Sequence, residues 1–189
     1  MTKRVNDPMS ETSAGGNPPR TVRVWDPVVR LFHWTVVIAV CLNLFVLKPG
    51  RLYHRYAGYV VIGAVLIRLV WGFIGTRHAR FGDFFPTPSR LIPYLKALSR
   101  REEPRHLGHN PAAAVMMLAL MGLLLATATT GWMMTLDAFW GEDWLEELHG
   151  GLANAIMVLA LVHAAAAIVE SLRHRENLVW SMVTGRKRA

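Results

Sequence analysis

The sequence has 189 residues, which is room for one domain of ordinary size or two small ones. Hydrophobic residues make up 52% of the chain and charged residues 18%, and the formal net charge is +8. This composition is too apolar for a disordered chain. Two classes remain, a membrane protein with cationic loops and a nucleic-acid-binding protein, and they differ in where the charges lie.

The charged residues lie almost entirely outside four apolar stretches. Residues 31–47, 110–136 and 148–169 contain none, and residues 56–76 contain only Arg68. A soluble DNA-binding protein would not carry four such stretches, so nucleic acid is excluded as a partner. A membrane-spanning helix needs about 20 mainly apolar residues. We therefore predict an all-α, integral membrane four-helix bundle, with helices at about 29–48, 54–75, 110–134 and 146–171.

The remaining segments are predicted in chain order. Residues 1–22 are polar and include Gly15, Gly16, Pro18 and Pro19. We therefore expect a disordered cytoplasmic tail and no signal peptide. Residues 23–189 form the four-helix domain. Between its second and third helices, residues 90–101 are predicted as a short helix on the inner membrane surface.

The distribution of charge predicts the topology. The segments before the first helix, between the second and third, and after the fourth hold 17 of the 21 Lys and Arg residues. The loop at residues 135–147 holds none and carries five carboxylates. Because basic loops stay in the cytoplasm, we expect both termini to be cytoplasmic in a multi-pass protein of the bacterial inner membrane. The acidic loop then lies on the outer side.

Four of the eight histidines lie inside or at the ends of the predicted helices. Ionisable residues in a membrane are costly and indicate function. His163 follows His149 by 14 residues, which is about four helical turns and about 21 Å of depth on one helix face. His33 lies near the inner face and His54 near the outer face. The predicted pairs are therefore His33 with His163 and His54 with His149.

Two histidines at one depth on opposing helices are what a six-coordinate haem iron requires, and bundle cores hold such cofactors. The lone cysteine, Cys41, excludes the usual thioether attachment. The pattern therefore predicts two non-covalent haem b groups. Gly58, four residues after His54, would let a flat macrocycle approach the helix, although small residues also pack membrane helices.

Two arginines are candidates for contacts with haem propionates. Arg68 follows His54 by 14 residues, which places it at the inner level, and Arg30 precedes His33 by three. A guanidinium binds carboxylate well, but snorkelling to the inner headgroups is the alternative for both. The other histidines are expected to be surface residues at headgroup level: His78, His106, His109 and His174.

Motifs throughout the chain after residue 22 resemble the bacterial cytochrome b561 / nickel-iron hydrogenase b-type cytochrome family. They lie at residues 24–34 (VWDPVVRLFHW), 54–59 (HRYAGY), 68–73 (RLVWGF), 108–111 (GHNP), 148–154 (LHGGLAN), 162–163 (VH) and 174–188. The resemblance implies a four- or five-helix membrane cytochrome with two b haems that exchanges electrons between quinone and a redox partner. It also implies haem ligation by the same four histidines, namely His33, His54, His149 and His163.

Three functions are consistent with these observations. The first is electron transfer between quinone and a periplasmic c-type cytochrome or other oxidoreductase. The second is a superoxide oxidase that passes electrons to ubiquinone, for which Lys48, Arg51 and Arg55 near the outer haem would attract the anion. The third is a metal-ion transporter, but such a path should offer carboxylates at membrane depth, and the four apolar stretches contain none.

Overall fold

The structure is a computed structural model and describes residues 21–189. Two single turns of 3-10 helix lie at Arg77–Ala79 and Asp137–Phe139. Seven α-helices and two short strands also follow one another along these residues. In chain order they are β1 (Thr21–Arg23), α1 (Pro27–Phe45), α2 (Leu52–Ile74), α3 (Phe81–Phe84), α4 (Pro88–Ser99), α5 (Pro111–Met133), α6 (Asp143–Arg173), α7 (Leu178–Thr184) and β2 (Arg186–Arg188).

Four of these helices, α1, α2, α5 and α6, are long and apolar enough to cross a membrane. A mostly helical membrane protein is thus confirmed. α1 begins two residues before its predicted start and ends three before its predicted end, whereas α6 extends three residues earlier and two later than predicted. α4 occupies residues 88–99, where a helix was predicted over 90–101.

The starts of α1 and α5 are determined by the same local chemistry. Asp26 accepts a hydrogen bond from the backbone N–H of Val29 at 2.9 Å, and Asn110 accepts one from Ala113 at 2.7 Å. In each helix, proline occupies the first position, where no intrahelical N–H partner is required. Because one long helix, α2, runs back across the bundle between α1 and α5, these two helices begin at the same side of the bundle.

The four long helices pack in sequence, α1 on α2, α2 on α5, and α5 on α6. Their common core consists of small and medium apolar residues from all four helices, namely Ala39, Val61, Val65, Met121, Leu124 and Ile156. Most other apolar side chains face outward. In the most apolar 18 residues of α6, only 6% are buried within the protein. This is typical of a helix whose sides face lipid.

The chain ends of the described region form a small cap on the bundle. β1 pairs with β2 in antiparallel fashion, with Val22 opposite Lys187. Thr21 and Val22, which the sequence analysis assigned to the disordered tail, are therefore strand residues, and this prediction was wrong for them. The prediction for residues 1–20 concerns a segment outside the described residues.

Lys187 holds this cap in place. The side chain is 6% exposed, and its Nζ donates to the carbonyls of His106 and Leu107 at 3.2 and 3.0 Å. The same Nζ lies 5.9 Å from the centre of the Trp25 ring. Burial lowers the pKa of Lys187, partly offset by the nearby Glu176 carboxylate. Lys187 thus ties the cap to the loop before α5.

Candidate functional site

The structure brings the four intramembrane histidines together in two pairs. The rings of His33 on α1 and His163 on α6 have centres 6.5 Å apart, at an interplanar angle of 56°. The rings of His54 on α2 and His149 on α6 have centres 6.2 Å apart, at 68°. These are the two pairs that the depth argument predicts, and α6 contributes one histidine to each.

The spacing within each pair can be compared with what one metal ion needs. An imidazole nitrogen binds a metal at about 2.0 Å, and the centre of its ring lies about 1.2 Å farther from the ion. Two imidazoles on opposite sides of one ion therefore have centres about 6.4 Å apart. The observed separations of 6.5 and 6.2 Å both agree with this value. The two pairs fit axial ligation of one iron each.

A cavity of about 790 Å³ surrounds the outer pair. His54 and His149 line it, together with Gly58 and Ala153 from the same two helices. A Cβ atom added at Gly58 would meet nothing within 4 Å, so this helix face opens onto the cavity. The volume is in the range of sites that hold a large organic cofactor.

The Nδ1 atoms of three of these histidines differ in their surroundings. His149 Nδ1 lies 3.1 Å from the hydroxyl of Thr130. The Nδ1 atoms of His33 and His54 are buried and have no hydrogen-bond partner within residues 21–189. The sequence analysis did not identify Thr130, because it carries no charge and α5 contains no histidine.

Arg68 is the most completely buried charged residue of the described region, at 1% exposure. Its Nη2 donates to the Ala79 carbonyl at 3.0 Å, and its guanidinium lies 5.2 Å from the centre of the Phe81 ring. Its Nη1 is buried and has no partner among the described residues. The guanidinium therefore does not extend to an exposed headgroup position, and one of its donor groups remains available.

These features can be compared with known proteins. The sequence model of one family, described as prokaryotic cytochrome b561, matches residues 24–185. The chain belongs to this family. Membership makes it a b-type cytochrome of the membrane, with haem b as its cofactor.

Curated relatives match the cytochrome over most of its length. It is 24% identical to a protein of Bradyrhizobium diazoefficiens named "Probable Ni/Fe-hydrogenase B-type cytochrome subunit", over 92% of this chain and 88% of that protein. Proteins of the same name in Rhodobacter capsulatus and Cupriavidus necator are each 25% identical, covering 88% and 91% of this chain and 81% and 89% of theirs. No solved structure matches.

Arg30 of the cytochrome has partners that the sequence analysis did not anticipate. Its Nε donates to the carbonyl of Met182 at 3.3 Å, and its Nη2 donates to the carbonyl of Val183. These carbonyls lie in the last turn of α7, where helical carbonyls lack intrahelical partners. In this structure Arg30 holds α7 against the start of α1, which neither the propionate nor the snorkelling alternative predicted.

The remaining histidines are not simple surface residues, and each is only partly exposed. His78 Nδ1 lies 3.3 Å from Asp83 and His106 Nδ1 lies 2.9 Å from the Pro104 carbonyl. His109 packs between the rings of Trp25 and Phe84, and its Nδ1 is buried.

The surroundings of His109 also determine its charge. Burial, together with the positive charges of Arg68 and Lys187, lowers the pKa of His109 to about 3. The ring is therefore neutral at neutral pH.

A third group of possible metal ligands lies at the end of α6. Atoms of Glu103, Glu170 and His174 fall within 4.8 Å of one another. Each already has a partner, because Arg173 pairs with Glu103 at 2.6 Å and His174 pairs with Glu170 at 2.9 Å. This cluster is a polar network, with an ion pair between Arg173 and Glu103, that joins the loop before α5 to α6.

Proposed function

We propose that this protein is a di-haem b-type cytochrome that carries electrons across the bacterial inner membrane, between quinone and a redox partner on the outer side. The observation that carries the proposal is the pairing of the four histidines at two depths. His33 and His163 would hold the inner haem, and His54 and His149 the outer haem. The two histidines of α6 are 14 positions apart in the sequence, which separates these levels by about 21 Å.

Haem supplies one-electron redox chemistry when it is bound. The chain would bind the haem and adjust its reduction potential. The histidine rings would provide the ligand nitrogens, and the apolar core between the two levels would exclude water from them. We propose that the free Nη1 of Arg68 binds a propionate of the inner haem, since a buried guanidinium donor without a partner is costly. Gly58 leaves room for the outer macrocycle.

The redox partner is proposed from the relatives. Their names describe cytochrome subunits of Ni/Fe hydrogenases, so a hydrogenase-type oxidoreductase is the partner that they support. A periplasmic c-type cytochrome would meet the same electrostatic surface. Five carboxylates occupy the loop at residues 135–147, namely Asp137, Glu142, Asp143, Glu146 and Glu147.

The orientation rests on charge. The basic segments and the cap formed by β1 and β2 lie at the ends of the helices that hold the inner histidine pair, and basic segments remain cytoplasmic. We therefore propose that both termini lie in the cytoplasm and the acidic loop in the periplasm. Quinone, which is membrane-soluble, would exchange electrons with the inner haem.

Superoxide oxidation is not the function that we advance. Arg55 does line the outer cavity, but the acidic loop lies at the same end and repels an anion. The relatives described above are named as hydrogenase cytochromes, which gives this alternative no support. Superoxide consumption by the purified protein at a rate above that of free haem would reverse this choice.

A haem count and a reduced-minus-oxidised spectrum of the purified protein test the proposal. We expect two haem b per polypeptide, both six-coordinate and both removed from the chain by acid-acetone. The matched control is His106→Ala, which alters a histidine of an inner loop and should keep both haems. One haem per chain, or haem that stays attached after extraction, contradicts the proposal.

The partner is tested separately in membranes that contain both this protein and a Ni/Fe hydrogenase. Hydrogen gas should reduce the haems, and His54→Ala should prevent this reduction. If hydrogen reduces nothing while a reduced c-type cytochrome does, the partner assignment is wrong and the di-haem assignment stands.

A further inference from the structure

α5 carries no histidine, yet it contacts one member of the outer pair. We propose that Thr130 on α5 is a positioning residue for the outer haem: it fixes the proton of His149 on Nδ1 and leaves Nε2 free to bind iron. This inference rests on the proposed function, in which His149 is an axial ligand.

The direction of the hydrogen bonds follows from proton counting. The Thr130 hydroxyl donates its only proton to the carbonyl of Thr127, at 2.9 Å. While the hydroxyl donates to Thr127, its oxygen accepts in the contact with His149 at 3.1 Å, and in this arrangement Nδ1 of His149 carries the proton. A neutral imidazole has one N–H, and therefore its Nε2 has the lone pair that a metal needs.

The surroundings of Thr130 make this hydrogen bond durable. Thr130 is 7% exposed, so water has little access to compete for either partner. The next residue, Gly131, allows the histidine ring to lie against the backbone of α5. A Cβ atom at Gly131 would be 3.0 Å from Cε1 and 3.4 Å from Nδ1 of His149. Two successive residues of α5 thus determine the position and the tautomer of this ring.

The two proposed ligands of the outer haem then differ in the hydrogen bonds that hold their rings. Nδ1 of His54 is buried without a partner in the described part of the chain, whereas Nδ1 of His149 has Thr130. A hydrogen bond from the remaining ring N–H raises the basicity of a ligand histidine. A more basic ligand stabilises oxidised iron, so Thr130 should lower the reduction potential of the outer haem.

Redox titration of the purified holoprotein tests this inference. Thr130→Val removes the hydroxyl and keeps the branched shape, and we expect the midpoint potential of the outer haem to rise while that of the inner haem stays unchanged. A tenfold weaker preference for the oxidised state corresponds to about 59 mV for a one-electron couple. The low-spin EPR signal of the outer haem should shift as well. Thr130→Ser should restore both properties.

The matched control is Thr129→Val. Thr129 is the neighbouring threonine of α5, it is exposed, and it does not line the cavity. This variant should keep the wild-type potential of the outer haem. An equal shift in Thr129→Val would mean that the loss of any threonine hydroxyl from this turn of α5 has the effect, which overturns the assignment to Thr130.

The other possible results with the Thr130 variants also support or overturn the inference. An unchanged outer potential in Thr130→Val with both haems present overturns the inference. If Thr130→Val loses the outer haem, retention by Thr130→Ser supports a role for the hydroxyl, and loss in both variants shows a packing role only. If wild-type protein binds no outer haem, or His149→Ala keeps it, the proposed function fails instead.

Discussion

The indole Nε1 of Trp71 donates a hydrogen bond of 3.0 Å to Oδ2 of Asp26, which joins the inner end of α2 to the start of α1. The hydroxyl of Thr76 donates to the same oxygen at 2.6 Å, and Oδ1 caps α1 at Val29. Burial alone would raise the pKa of Asp26, but the hydrogen bonds from Thr76, Trp71 and the backbone lower it below its usual range. One buried carboxylate thus fixes the two helices that carry His33 and His54.

Loss of this carboxylate should destabilise the inner end of the bundle. In Asp26→Ala, the Trp71 and Thr76 donors lose their acceptor in a buried place, which costs about 1–3 kcal/mol for each unsatisfied group. Asp26→Asn keeps one acceptor oxygen and should lose less. Thermal unfolding in detergent measures both. The exposed Asp137→Ala serves as the control, and equal unfolding temperatures for Asp26→Ala and this control would contradict the prediction.

The hydrogen bonds of Glu176 predict a pH-dependent contribution to stability. Glu176 accepts hydrogen bonds from the Arg105 guanidinium and, at 2.8 Å, from the backbone N–H of Arg188. Burial raises the pKa of Glu176, but the Arg105 hydrogen bonds and the Arg188 N–H outweigh it, and the net pKa lies below the ordinary 4.5. The carboxylate therefore stabilises the folded state above pH 4.5, and this stabilisation is lost as the pH falls through the lowered pKa.

Glu176→Gln tests this pH dependence. At pH 7 the wild-type protein should unfold at a higher temperature than the variant, by the equivalent of about 1 kcal/mol. The difference should shrink below pH 4.5 and disappear once the wild-type carboxyl is protonated. A difference that stays constant from pH 7 to pH 3 would show that the charge of Glu176 has no role.

The features that the sequence predicts well are those written in consecutive residues or in fixed helical spacing. The four apolar stretches locate the four long helices, and the 14-residue interval between His149 and His163 gives the two levels. The interaction of Arg30 with the last carbonyls of α7 was not predicted, because its partners lie about 150 residues away and are backbone atoms. β1 and β2 were missed because strands of three residues carry no alternating pattern.

The buried position of Arg68 predicts a selective effect on the inner haem. Arg68→Leu removes a positive charge near that haem, so the oxidised and more positive state becomes easier to form and the midpoint potential should fall. Arg68→Lys keeps the charge, so the midpoint potential of the inner haem should fall less in this variant. The control is Arg77→Leu, whose side chain is 83% exposed in the wild type. An unchanged potential in Arg68→Leu with both haems retained would show that the guanidinium acts only within the protein, for example through its hydrogen bond to the Ala79 carbonyl.

The pairing of the histidines predicts which single variants share a defect. His54→Ala and His149→Ala should both lose the outer haem, and His33→Ala and His163→Ala should both lose the inner one. The ring centres of each pair, 6.2 and 6.5 Å apart, permit one iron between them. A haem held by His33 and His149 would have to bridge levels that differ by about 20 Å along α6.

Difference spectra and haem counts of the four variants measure this pattern. Loss of the same haem in His54→Ala and His163→Ala, with retention in His149→Ala, would contradict the pairing. So would two six-coordinate haems in all four variants. The shared helix sharpens the test: His149 and His163 both lie on α6, so general damage to that helix would make their two variants resemble each other. The pairing instead requires each to resemble a variant on a different helix, α2 for His149 and α1 for His163.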